Sequence, residues 1–162
     1  MNKDNSGKLP EKIIRAIYAE ELSVINQWID KETINYTDKD GRSAIFIAVL
    51  ADSVKMFKLI LEDSPNVNLK DKMGWSVLHY IAQYYQVEMA KLIIEYGVHL
   101  ESEDDYGNTP LWRAVFSSQG RGEMILLLLS NGADKDHKNL AGVSPIELAD
   151  KISNYGLVQF FS

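Results

Sequence analysis

Three histidines, His79, His99 and His137, are the ring nitrogens through which this chain could move a proton or ligate a metal near neutral pH. His99 and His137 fall between helical patterns, and none of the three has a second ligand at the spacing zinc sites use. Cysteine is absent, which removes thiolate metal sites, disulfides and a thiol nucleophile, and fits a reducing compartment. The acidic run ESEDD at 101–105 gathers carboxylates, but it lacks the alternating D-x-D-x-D-G spacing of a calcium loop and reads as a solvated turn. No G-x-S-x-G elbow, H-E-x-x-H helix or Walker-type loop occurs. No catalytic residue, metal ligand or cofactor is therefore assigned, and the chain is expected not to be an enzyme.

What must position such residues is set by length and charge. A chain of 162 residues can bury one sizeable core. Its formal charge of −6 argues against a general nucleic-acid binder and favours a basic partner. The start, MNKDNSGKLPEK, has no apolar signal region, and the longest apolar run, Met124 to Leu129, is too short to cross a bilayer. The expectation is a cytoplasmic monomer without membrane contact.

The chain repeats. DKDGRSAIFIAV begins at Asp38, DKMGWSVLHYIA at Asp71 and DDYGNTPLWRAV at Asp104; Gly41, Gly74 and Gly107 are 33 residues apart. A weaker copy, NLAGVSPIELAD, begins at Asn139 with Gly142. In each copy the glycine supplies a turn residue suited to positive φ, and Ser43, Ser76, Thr109 and Ser144 stand where a helix N-cap is needed. Pro110 and Pro145 follow at the first helical position, which has no use for an N–H. Ala48, Ala82 and Ala114 allow close helix approach, and a second apolar run, such as Leu92-Ile93-Ile94, completes each unit. No single copy can bury both its helices alone, so copies must stack.

These copies resemble ankyrin repeats. The resemblance rests on GNTPL at 107–111, LHYIA at 78–82 and NGAD at 131–134, recurring at one period from about Leu9 onward. It implies an all-α solenoid of helix–turn–helix units joined by hairpin turns, with three full repeats between degenerate caps. The division is 1–8 flexible N-terminus, then a single repeat domain over 9–162. That domain comprises an N-terminal cap (9–36), repeats at 37–69, 70–102 and 103–137, and a C-terminal cap (138–162). The resemblance gives His79 a structural hydrogen-bonding role. Trp112 holds the same place in its copy, where indole can only donate, so it is assigned to packing between repeats. The third repeat carries two extra residues in FSSQGRGE, a loop that Gly120 and Gly122 are expected to make flexible.

The resemblance further implies that turn tips and the exposed side of the first helices contact a partner. The matching positions are Arg42 in the first repeat; Met73, Trp75, Gln83, Tyr84 and Tyr85 in the second; and Asp105, Tyr106, Asn108, Arg113 and Phe116 in the third. Aromatic, Met and Arg residues are the types enriched in interface cores. Asp104 and Asp105, with Glu101 and Glu103, would form an acidic rim that steers a basic partner. In size and texture the chain is similar to small bacterial ankyrin proteins that act as immunity proteins, which bind and neutralise a toxin domain. The alternative is a scaffold or regulatory adaptor that tethers a protein without inhibiting it.

Overall fold

The computed structural model describes residues 7–162, the side chain of Ser153 excepted. Among the described residues the elements are α1 (Glu11–Tyr18), α2 (Leu22–Trp28), α3 (Ala44–Leu50), α4 (Val54–Glu62), α5 (Val77–Tyr84), α6 (Val87–Tyr96), α7 (Pro110–Ser117), α8 (Glu123–Ser130) and α9 (Pro145–Lys151). Two short 3-10 turns follow, at Ser153–Tyr155 and Leu157–Phe161. The described residues form no strand, only isolated bridges from Thr37 to Lys8 and to Ser43. None of these helices is long and apolar enough to cross a membrane.

The chain divides into two compact units, the first ending at Lys72 and the second running from Met73 to Ser162. In the first, α1 packs on α2 and on α3, and α3 on α4. Ile13, Ile17, Ile25, Ile45, Phe46, Phe57 and Ile60 are its fully buried core. In the second, α5 pairs with α6 and α7 with α8, while α5, α7 and α9 lie side by side in succession. Leu78, Ile81, Met89, Ile93, Leu111, Val115, Ile125 and Leu128 are buried there. Each such side chain contributes about 1.5–3 kcal/mol on leaving water, which is what stacks pairs of helices too short to be stable alone.

The helix starts follow the repeat. Ser43, Ser76, Thr109 and Ser144 are the N-caps of α3, α5, α7 and α9, all with extended backbone, and Pro110 and Pro145 follow at N1. Thr109 accepts the N–H of Trp112, and Ser144 that of Glu147. The turns before Ser43, Thr109 and Ser144 are each built by one side chain. Asp38 Oδ1 accepts the N–H of Asp40 and of Arg42, Asp104 Oδ1 those of Tyr106 and Asn108, and Asn139 Oδ1 those of Ala141 and Val143. The carboxylate or amide thus folds the tip, and the glycine three residues on takes φ of 72–86° to close it.

Of the segment 1–8 expected to be flexible, residues 1–6 lie outside those described. Gly7 to Leu9 are tied to Thr37 by two backbone bonds, and Leu9 is buried. The loop between α7 and α8 corrects the expectation of flexibility. Gly122 has an ordinary φ of −102°, yet a Cβ there would lie 2.3 Å from the Phe160 ring; glycine is needed for close approach, not for freedom. Gly120 lies under Tyr155, and the Tyr85 hydroxyl donates to the Arg121 carbonyl from across the repeat.

Candidate interaction surface

The second unit presents its tips and first helices as a set. Successive tips are joined by single backbone bonds, Asp105 N to Met73 O at 3.2 Å and Leu140 N to Tyr106 O at 3.0 Å. Those bonds use main-chain atoms, and the side chains of Met73, Tyr106 and Leu140 are 53%, 69% and 80% exposed. On α5 and α7, Tyr84 and Phe116 are each 55% exposed. Leu140 is absent from the positions expected from the sequence; in the last copy it stands where Lys72 and Asp105 stand in theirs, and Ala141 stands where Met73 and Tyr106 do.

Beneath these lies a fixed polar layer. The Arg113 guanidinium reaches 2.5 Å from Asp104 Oδ2 and lies over the Trp75 ring, 4.3 Å from its centroid. Trp75 meets Tyr80 edge-on at 5.0 Å. Trp112 is half-buried and stacks on Phe116, with centroids 5.5 Å apart and planes at 15°. The Gln83 Oε1, Trp112 Nε1 and Arg113 Nε atoms are enclosed without a hydrogen-bond partner. Each of these enclosed atoms carries an uncompensated desolvation cost.

Several positions read from the sequence as solvent-facing are corrected here. Asp104 is 5% exposed and spent on Asn108, Tyr106 and Arg113, so it belongs to no acidic rim. Burial alone would raise its carboxyl pKa, but the hydrogen bonds from Arg113 and Asn108 outweigh that and hold it below the ordinary value. Asn108 is 4% exposed; its amide donates to Asp104, and its Oδ1 accepts from Asn139. Arg113 is mostly covered by the same contacts. Tyr85 is 8% exposed, at φ 60° as the C-cap of α5, with the Arg121 guanidinium 4.0 Å over its ring. Burial pushes its hydroxyl up to about 12. Gln83 and Trp75 are half-buried. Asp105 is exposed. In the first unit Arg42 is engaged by Asp38 at 2.8 Å and Asp40 at 2.7 Å. What remains outward on the second unit is an apolar and aromatic set with acids beside it.

One histidine is built into the repeat. His79 is wholly buried: its Nδ1 takes the Ser76 N–H at 3.1 Å and its Nε2 lies 2.9 Å from the Asn108 carbonyl, which the Nε2–H tautomer satisfies. Glu147 makes the same backward bond to the Ser144 N–H in the last copy. Phe46 cannot, and the Ser43 hydroxyl is left buried without a partner. His137 lies 3.2 Å from Glu103. Among the described residues no three His, Asp or Glu side chains are grouped to hold a metal.

A family model described as ankyrin repeats, in three copies, matches residues 13–104 and again 64–139. No curated protein matches the chain. Ankyrin repeats are protein–protein interaction modules, typically without enzymatic activity. With its turn–helix–helix copies, its capped first helices and a family match over most of its length, this chain belongs to the ankyrin-repeat family.

Proposed function

We propose that the second unit captures a basic protein on its apolar tips and first helices, and that capture neutralises the partner, as an immunity protein neutralises a toxin domain. The observation that carries the reading is the outward set Met73, Tyr84, Tyr106 and Phe116, with Leu140 beside them. Exposed aromatic side chains of this kind are the residue types that serve as binding anchors, at about 2 kcal/mol or more each. Charge supports a basic partner. Residues 73–162 hold eleven acidic and six basic side chains, a net of −5, with Asp105, Glu101 and Glu103 exposed near Tyr106. The protein works in the cytoplasm as a monomer until it meets its partner.

The test couples capture to consequence. The wild-type chain and a Met73→Ala/Tyr84→Ala/Tyr106→Ala/Phe116→Ala variant are used as bait in the native host. A protein retained only by wild type is then expressed alone and together with the chain. Toxicity or activity that co-expression suppresses, and that the variant leaves unsuppressed, supports neutralisation. A captured partner whose activity is unchanged makes the chain an adaptor instead. Equal capture by the variant removes the surface assignment.

A further inference from the structure

The first unit holds a groove of about 590 Å³ that the sequence reading did not single out. Its floor is apolar and aromatic: Ile14 and Tyr18 of α1, Trp28 of α2, Ile47 and Leu50 of α3, and Tyr36. Its rim is cationic. Lys8, Lys12 and Lys39 are exposed, and none of the three ammonium groups makes an ion pair with a described residue. The acids of the lining are already engaged, Glu11 with Arg15 at 3.6 Å and Asp38 with Arg42 at 2.8 Å. In a chain of charge −6, this groove is lined by four cationic and two anionic residues.

We infer that this groove docks an acidic peptide segment of a partner protein, one that carries an aromatic or aliphatic side chain. Charge complementarity selects the occupant: three lysines with no ion pair to a described residue, around an apolar floor, leave an anionic segment attracted and a basic one repelled. A peptide fits better than a small molecule. Small-molecule sites converge a few fixed polar groups inside the pocket, whereas here the charge sits on flexible lysines at the edge, the apolar-centre and polar-rim arrangement of a protein interface. The groove belongs to the first unit and stands independently of the surface proposed for the second.

The experiment pans a displayed library of random peptides, about 12 residues long, on the full chain, and counter-selects on a Lys8→Glu/Lys12→Glu/Lys39→Glu variant. The expected pool is net acidic with at least one aromatic or aliphatic residue. Measured by fluorescence polarisation, its members bind the triple variant at least about 10-fold more weakly and weaken as salt rises from about 0.05 to 0.5 M. They bind the Met73/Tyr84/Tyr106/Phe116 alanine variant as well as wild type, which separates this groove from the other surface. A pool that is neutral or basic, peptides that bind the triple variant undiminished, or no enrichment at all would overturn the inference. A melting curve checks that the triple variant folds; should it not, glutamines at the same three positions replace the glutamates.

Discussion

Asp38 and Asp104 stand two repeat periods apart and fold their turns with the same two backbone bonds, yet they are finished differently. Asp38 takes its guanidinium from within its own turn, Arg42, which also holds the half-buried Asp40, so the tip closes on itself. Asp104 takes Arg113 from α7, and that arginine in turn covers Trp75. The first arrangement leaves lysines beside an apolar trough. The second welds tip to helix and pushes rings outward. Charge follows the division: residues 1–72 hold eleven basic and twelve acidic side chains, whereas 73–162 carry nearly all the negative excess. The same turn is thus finished by an arginine from its own loop in one unit and from the following helix in the other, and the two surfaces proposed above lie beside these two finishes.

The sharpest way to break this comparison is Asp104→Ala against Asp38→Ala. Loss of Asp104 strands a buried guanidinium and three N–H groups and should cost about 3–5 kcal/mol in urea titration. The Asp38 turn, whose arginine keeps Asp40 as a partner, should lose about 1–2 kcal/mol. Equal costs would mean that the weld to α7 adds nothing. The pH dependence has the matching sign. The Asp104 pKa is depressed in the fold, so its contribution is present above the unfolded value, about 3.9, and is lost as pH falls through the lower folded value. Wild type should therefore lose stability below about pH 4 more steeply than Asp104→Asn.

Next in size is the four-alanine variant of the second unit. It should weaken partner binding by about 2 kcal/mol or more while the melting temperature holds within a few degrees, because exposed substitutions scarcely touch stability. A collapse in melting temperature with binding intact would make these rings structural. Third, Gly122→Ala should destabilise by about 1–3 kcal/mol through overpacking on Phe160, and Phe160→Ala should recover most of that loss in the double variant. Smallest is Tyr85→Phe, which removes the bond to the Arg121 carbonyl and should cost about 1 kcal/mol. That hydroxyl has a raised pKa, so its share is present below about pH 10 and fades as pH climbs towards 12.

The repeats were legible because their signals are local. A glycine at positive φ, an Asx side chain three residues before it and a hydroxyl two residues after it act over a few residues, so periodicity alone located four turns and four helix starts. The surface was less legible. Burial of Asp104, Asn108 and Tyr85 is decided by Arg113, Asn139 and Arg121, and two of those come from the next copy, about thirty residues along the chain. The α7–α8 loop looked free because Phe160, which pins it, is supplied from the chain's far end. The groove of the first unit is lined jointly by the degenerate N-terminal copy and the first full repeat, and for the degenerate half alignment to the other repeats had least to compare.

The backbone rungs between tips, Lys72 N to Asp40 O in the first unit and those from Asp105 N and Leu140 N to the Met73 and Tyr106 carbonyls in the second, involve no side-chain atom. Foldability and recognition are therefore written in separate alphabets at these positions. A saturation library at 73, 106 and 140 should return folded protein for almost any residue that tolerates its backbone angles, while partner choice changes freely. Such a protein can change what it holds without first becoming unstable, which is the condition for keeping pace with a partner that is itself changing.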